Sequence, residues 1–274
     1  MKYFIKDTNN EVSVRFSLLF ASLFLPVVAS AQTFMFDDAD DIDTETVEEW
    51  EASAEFGLLY TSGNTETESL KGKFNASRDI QNWRHKGVFD YYTAEQEDQE
   101  TGESVETADR MFVSAQSNYK FDPDSRDSLF VFGSYEEDEF SGFEYQATVA
   151  TGYGARYRYD EDIYADYEIG PGYSRTKPVQ VEGEPPVESD GSMILRLAGG
   201  LNWKISENSR FNALLSSEIG EDNTKSKAEL SVSANINSSL AMKFSVGANH
   251  NSQVADESIE KLDTETAVTL VYSF

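Results

Sequence analysis

The chain has 274 residues, of which 22 are basic and 50 acidic, so its formal net charge at pH 7 is −28. This acidic excess excludes a nucleic-acid-binding protein, because phosphate backbones require a basic surface. The absence of cysteine excludes disulfides and thiol chemistry, and the length fits one domain.

The first segment with a distinct pattern is an uncharged run, Phe16–Ala31, which follows Arg15. It closes on Ala29-Ser30-Ala31, a small-x-small cleavage site, with Gln32 beyond it. The run is too short to span a bilayer comfortably as a helix. We therefore predict that residues 1–31 are a secretory signal peptide, with an uncleaved signal anchor as the alternative. The mean hydropathy of −0.51 excludes a bundle of transmembrane helices.

The next segment, residues 32–49, is strongly acidic and has no hydrophobic periodicity. A block of like charge of this kind is usually disordered, since its side chains repel one another and bury no apolar surface. We predict a disordered periplasmic tail that leads into one folded domain, residues 50–274.

From Trp50 onward, stretches of alternating apolar and polar residues are separated by turn-forming residues, which is the pattern of β-strands. We count about twelve such stretches, each close to the length that a tilted transmembrane strand requires. The sequence therefore predicts an all-β fold, a single antiparallel transmembrane β-barrel. The predicted strands are 50–60, 66–78, 83–94, 108–121, 127–136, 144–159, 163–174, 191–205, 209–219, 225–236, 240–251 and 264–274.

The connections between these strands alternate in length. Short periplasmic turns and longer outer loops are typical of outer-membrane barrels, and an even number of strands places both termini in the periplasm. The predicted short turns are 79–82, 122–126, 160–162, 206–208 and 237–239, and the longer acidic loops include 95–107, 176–190 and 252–263.

One face of the predicted strands is apolar and ends in aromatic residues. Apolar pairs such as Phe56 with Leu58 and Phe244 with Val246 share this face and predict contact with lipid. Aromatic side chains favour the membrane interface. A β-sandwich, in which this face would meet a second sheet, is the alternative. The predicted interface girdle is Trp50, Trp83, Phe121, Tyr159 and Trp203, with Phe274 at the chain end.

The opposite face is polar and carries nine basic and five acidic residues. A ring of fixed positive charge would give a narrow channel a preference for anions or small solutes. The alternative is a plugged lumen, in which Asp166 and Glu168 neutralise Arg156 and Arg158, because buried charges are usually paired. The predicted lumen residues are Glu55, Lys71, Lys73, Arg84, Lys86, Asp90, Gln116, Lys120, Arg156, Arg158, Asp166, Glu168, Arg196, Glu229 and Lys243.

Acidic residues cluster in three predicted outer loops. Carboxylates there could bind divalent cations, which also bridge lipopolysaccharide phosphates, but the spacing of a calcium-binding loop is absent. A solvated surface adapted to salt is the preferred interpretation, because salt screens repulsion between exposed charges. The residues are Glu95, Glu97, Asp98, Glu100, Glu103 and Glu106; Glu136, Glu137, Asp138 and Glu139; and Glu182, Glu184, Glu188 and Asp190.

An enzymatic alternative depends on His250 and Ser252, which share one face of the eleventh strand. The pair resembles the His-x-Ser arrangement of outer-membrane phospholipases and lipid A deacylases, in which imidazole activates the hydroxyl. The group that would orient the imidazole is not evident, since Glu260 or Asp263 would have to fold back. The glycine-rich sequence that follows the phospholipase site is absent. A polar pair at the membrane interface is the preferred interpretation.

The last strand, 264–274, resembles the closing strand of bacterial outer-membrane barrels because it alternates and ends on an aromatic residue. The resemblance implies that Leu270, Tyr272 and Phe274 are recognised by the barrel-assembly machinery.

The segment Ser53-Ala-Glu-Phe-Gly-Leu-Leu-Tyr-Thr-Ser-Gly-Asn-Thr65 resembles the start of the YdiY-like family, described as salt-induced outer-membrane proteins. The closest match is the turn Thr61–Thr65, where Gly63-Asn64 tolerates the positive φ of a tight hairpin. Trp83 and the aromatic C-terminus also match. The resemblance implies a monomeric outer-membrane barrel without established activity and without a cofactor. Its implied partners are outer-membrane lipids, lipopolysaccharide, the assembly machinery and periplasmic chaperones.

Overall fold

A computed structural model describes residues 50–61, 67–98, 103–123, 125–180, 187–254 and 260–274. The predicted signal peptide and acidic tail lie outside these residues, as does 62–66, the greater part of the predicted Thr61–Thr65 turn.

Twelve antiparallel strands form one closed barrel, in which each strand pairs with its neighbours in the chain and β1 also pairs with β12. The predicted fold is therefore confirmed. In the described residues, no helix has the length and apolar character needed to cross a membrane. The strands are β1 Trp50–Thr61, β2 Thr67–Ile80, β3 Trp83–Glu97, β4 Ser104–Lys120, β5 Asp127–Asp138, β6 Phe143–Asp160, β7 Ile163–Pro178, β8 Asp190–Ser206, β9 Ser209–Gly220, β10 Thr224–Asn235, β11 Leu240–Asn251 and β12 Leu262–Ser273.

The short turns lie where the sequence predicts them, but several strands reach further toward the outer end than predicted, most of all β3, β4 and β7. β3 and β4 remain paired out to Glu97 and Ser104, and β7 continues to Pro178. The predicted loops 95–107 and 176–190 are correspondingly shorter. The acidic composition suggested a loop, but a hairpin above the membrane keeps its backbone paired while its charged side chains remain in water.

The two faces of the strands differ in accessibility as the alternation predicts. In β12, Val268 and Leu270 are 61% and 44% exposed on the outside, whereas Glu265 and Thr269 are each 3% exposed inside. The exposed apolar side chains form the lipid-facing surface, since polar groups there would lose their hydrogen bonds. The buried interior of this protein is thus the barrel lumen.

β6 and β7 approach closely at two inward-facing glycines. A Cβ built on Gly152 would lie 2.2 Å from the carbonyl oxygen of Ile169, and one on Gly170 would lie 2.0 Å from that of Thr151. The pairing is interrupted between Ala150 and Tyr153 on β6. Opposite this gap, β7 carries Pro171, which has no N–H to donate. Only glycine fits so close a contact between two backbones.

The closing contact between β1 and β12, which we call the seam, is the shortest ladder in the barrel. It pairs Ser53–Phe56 with Leu270–Ser273, whereas β1 pairs with β2 along its whole length. The chain end extends the seam, because the backbone N–H of Phe274 donates to Ala52 O at 3.0 Å.

We expect Gly152→Ala to lower the free energy of unfolding by about 2 kcal/mol, because the new methyl group must push β6 and β7 apart. Gly72→Ala is the matched control, since a Cβ there has no atom within 4 Å. Urea unfolding of the refolded barrels, followed by heat-modifiable migration in gels, measures both. Equal midpoints for Gly152→Ala and the wild type would contradict the close approach.

Candidate functional site

The charged lumen contains the predicted residues, and their burial depends on depth. Lys71, Lys73, Asp166, Glu168 and Arg196 are buried. Arg84, Lys86 and Arg156 are half-buried near the periplasmic end, and Arg158 is exposed at its mouth.

A first group of ion pairs lies inside the lumen, on the inward faces of the strands on both sides of the seam. Lys71 Nζ donates to Glu265 Oε1 at 2.7 Å. Glu55 accepts from Lys243 at 3.2 Å, and Lys73 lies 3.9 Å from the same carboxylate. Lys243 also lies 3.5 Å from Glu229. These side chains alternate in sign, so each lysine is neutralised by at least one carboxylate.

A second group crosses the lumen between β5 and β10, which are on nearly opposite walls. Glu136 accepts from Lys225 at 2.5 Å and from Lys227 at 2.9 Å. Lys227 also lies 4.7 Å from the ring centroid of Phe112, a cation–π contact, and Lys225 contacts Gln146. These contacts tie opposite walls together through the centre of the barrel.

Two further pairs complete the middle of the lumen. Arg110 donates to Asp90 at 2.7 Å, with both side chains buried. Arg196 donates to Glu218 at 2.8 Å and lies over the ring of Phe132, 3.8 Å from its centroid.

Apolar side chains occupy the lumen beside these pairs. Val88, Phe130, Phe132 and Ala150 form one buried cluster, and Leu214 packs with Ala198. Phe130 is fully buried, although a side chain lining a water-filled pore would be accessible to water. The centre of the lumen is therefore filled by side chains.

The periplasmic end of the lumen is more open. Asp79 bridges Arg84, at 2.8 Å, and Lys120, at 2.6 Å. Asp166 binds Arg156 through two hydrogen bonds of 2.7 Å, as the plugged-lumen alternative predicts. Glu168 instead accepts from Gln116 at 2.6 Å.

The predicted girdle residues are all exposed on the outer surface of the barrel. Trp83 stacks on His85 and contacts Tyr119 edge-on, and Arg78 lies over the ring of Trp50. At the chain end, Phe274 is exposed and its ring contacts Phe74 and Tyr272. Their roles at the membrane interface and in assembly remain predictions.

The structure does not join His250 and Ser252 into a catalytic pair. Ser252 Oγ donates to Asn223 Oδ1 at 3.1 Å and accepts from the backbone N–H of Thr224 at 2.8 Å. His250 is exposed at the end of β11. The hydroxyl thus fixes the turn between β9 and β10, and its geometry gives no support to activation by imidazole.

The acidic outer loops are the predicted places for divalent cations. Among the described residues, no group of three or more His, Cys, Asp or Glu side chains is arranged to hold a metal ion. Part of the predicted loop clusters, including Glu100, Glu182 and Glu184, lies outside the described residues.

Comparison with known proteins identifies the family of this chain. A family described as "protein of unknown function, DUF481" matches residues 54–274. The chain belongs to this family. The uncharacterised protein YdiY of Escherichia coli K12 is 22% identical over 256 residues, which cover 93% of this chain and 95% of YdiY. The resemblance to the YdiY-like family is therefore confirmed.

Solved structures with a similar fold include barrels of several kinds. The NanC porin is 10% identical with a TM-score of 0.48, over 82% of this chain and 98% of the porin. The translocator domain of the autotransporter NalP from Neisseria meningitidis is 11% identical with a TM-score of 0.47, over 82% of this chain and 88% of that domain. An outer-membrane channel from Pseudomonas putida F1 is 10% identical with a TM-score of 0.46, over 86% of this chain and 99% of the channel.

Several members of the charge network are absent from the predicted lumen set. Glu136 was assigned to an outer loop together with Glu137 and Asp138. This assignment is wrong, because all three belong to β5 and Glu136 is buried inside. Arg110, Lys225 and Lys227 were missed although the alternation of β4 and β10 points them inward. With these residues and the carboxylates Glu218 and Glu265 added, the lumen set holds twelve basic and eight acidic residues. The basic excess of four is therefore unchanged, and the missed residues supply charges of both signs in equal number.

We expect Glu136→Gln to lower the free energy of unfolding by about 3 kcal/mol, because it leaves Lys225 and Lys227 buried without their carboxylate. Glu137→Gln is the matched control on the outward face, where Glu137 accepts only from Tyr135 among the described residues. Urea midpoints of the two refolded variants give the comparison. A loss no greater than that of Glu137→Gln would show that the crossing pairs do not stabilise the barrel.

Proposed function

We propose that this protein is a resident outer-membrane barrel of Gram-negative cells whose lumen is closed at rest. One observation carries the proposal: the mid-lumen cations that would attract an anion each face a carboxylate. Lys71 faces Glu265, Lys73 faces Glu55 and Arg196 faces Glu218. A selective pore needs fixed charge that is free to replace the hydration of the passing ion.

The paired charges also explain why closure is stable. Moving charge out of water is costly unless it is paired and hydrogen-bonded. An ion entering the lumen would have to break such pairs and displace the apolar cluster around Phe130. The barrel is therefore better suited to a structural role, or to opening under a specific signal, than to steady diffusion of small solutes.

The localisation is part of the same proposal. We propose that residues 1–31 direct export and are removed, that 32–49 form a periplasmic tail, and that the barrel then assembles in the outer membrane as a monomer. Outer-membrane lipids and lipopolysaccharide would surround it. The acidic outer surface supports the salt-induced role that the family resemblance implies, because high salt screens the repulsion among exposed carboxylates.

The enzymatic alternative receives no support from a specific contact. A lipid hydrolase at His250 and Ser252 would need the hydroxyl within reach of the imidazole. The described geometry instead commits that hydroxyl to Asn223 and Thr224.

We expect the refolded wild-type barrel to show few or no conductance steps in planar bilayers at physiological ionic strength. Glu136→Gln should add openings with anion preference, because it removes the negative charge shared by two lysines in the centre of the lumen. Glu137→Gln, which changes the same charge on the outside, should stay silent. Regular anion-selective steps from the wild type would instead support the open-channel alternative.

We also expect deletion of Phe274 to reduce assembly severalfold, because it removes a backbone hydrogen bond at the seam and the terminal aromatic residue. Outer-membrane fractions from cells grown at low and high salt would be compared by the heat-modifiable band. Phe274→Tyr is the control that keeps ring and backbone. Normal levels of the truncated protein would refute the assembly role, and equal wild-type levels at both salts would refute salt induction.

A further inference from the structure

A cavity of about 960 Å³ occupies one side of the lumen at the periplasmic end, and we call it the periplasmic vestibule. Its walls come from β2–β8, and its rim includes residues of the short turns after β4, β6 and β8. It therefore opens toward the side on which the short turns lie, away from the filled centre of the barrel. The residues that line the vestibule are not those of the charge pairs in the middle of the lumen, and the proposed closure does not explain why they are there.

Six cationic residues line the vestibule: Arg84, Lys120, Arg126, Arg156, Arg158 and Lys204. Two carboxylates neutralise three of them, since Asp79 binds Arg84 and Lys120, and Asp166 binds Arg156. The pairs of Arg84 and Arg156 use Nε and Nη2 of each guanidinium, so Nη1 takes no part in them.

Arg126 is exposed at the rim and lies over the ring of Tyr157. Arg158 and Lys204 are the remaining two cations. Neither side chain makes an ion pair or hydrogen bond with a described residue, yet both line the same cavity, from β6 and β8 on either side of β7. Arg158 lies two positions beyond Arg156 on the inward face of β6, and Lys204 lies near the end of β8. Both can therefore move toward a bound group without breaking an existing pair.

The lining also carries six carboxylates, which differ in depth. Glu161, Asp162 and Glu207 belong to the turns at the rim and are exposed to water, where solvent and salt screen them. Glu168 lies deeper, where it is a third interior carboxylate beside Asp79 and Asp166, and it accepts a hydrogen bond from Gln116. Arg84, from β3, and Arg156, from β6, repel each other across the lumen. Inside the cavity the cations Arg84, Lys120, Arg156 and Lys204 outnumber the three carboxylates. An excess of one sign between low-dielectric walls concentrates counter-ions.

We propose that the periplasmic vestibule binds a phosphate group. A planar carboxylate is satisfied by one guanidinium fork, whereas a tetrahedral phosphate accepts hydrogen bonds from several directions at once. Guanidinium and ammonium groups from β3, β6 and β8 surround the cavity, an arrangement that suits a tetrahedral phosphate. The bound phosphate group belongs either to a free phosphate or phosphate ester, or to the headgroup of an inner-leaflet lipid that enters the vestibule. Binding does not require that the lumen conduct.

The test uses the full refolded barrel in a non-ionic detergent and titration calorimetry with inorganic phosphate. We expect saturable binding that weakens with added salt. Arg158→Gln combined with Lys204→Gln should weaken it roughly tenfold or more, since two charge-assisted contacts are lost. Glu207→Gln should tighten it, because it removes a negative charge from the rim. This opposite sign separates phosphate binding from a general loss of structure.

The control is Arg175→Gln combined with Lys261→Gln, which removes the same charge at the outer end of the barrel and should bind phosphate as the wild type does. Micelles doped with phosphatidylglycerol supply the second arm. Displacement of phosphate by the lipid assigns the site to a headgroup, and undisturbed binding assigns it to a free phosphate. Absence of phosphate binding by the wild type, or equal binding by the Arg158/Lys204 variant, would overturn the proposal.

Discussion

The structure depends on the opposite demands that lipid and a narrow lumen place on the two faces of every strand. Lipid offers no hydrogen bonds, so polar side chains turn inward and apolar ones outward. Twelve strands enclose too little space for each inward charge to keep its own water. The inward charges must therefore meet one another. The pairs around Glu55, Glu136 and Glu218 follow from that confinement.

The confined charges divide the lumen into two unequal parts. In the outer half, positive and negative side chains are interleaved and supported by Phe112, Phe130 and Phe132, so the electrostatic field largely cancels. At the periplasmic end the interior cations outnumber the acids that bind them, and the compensating carboxylates lie on the rim. The lumen thus combines a filled, nearly neutral part with the periplasmic vestibule, where cations are in excess. The two parts are suited to different functions.

The sequence was sufficient to predict the barrel, its strand number, its short turns and most inward residues, because each depends on a local period of two. It was insufficient where contacts join distant strands. Lys71 and Glu265 are 194 residues apart, and only the stagger of the strands brings them together. Glu136 was misplaced because an acidic run resembles a loop whether or not its backbone is paired. The contact between Gly152 and Gly170 depends on barrel curvature, which alternation does not encode.

The short seam has a consequence for the order in which the molecule forms. Every other ladder joins strands that are neighbours in the chain and can pair as they emerge, whereas β1 must wait for β12. Closure adds four residue pairs to a sheet that is otherwise complete. A curled, open sheet is therefore nearly as well hydrogen-bonded as the finished barrel. The last step in forming the barrel is therefore the pairing of β1 with β12, and that seam is also the line along which the wall would first open under lateral tension.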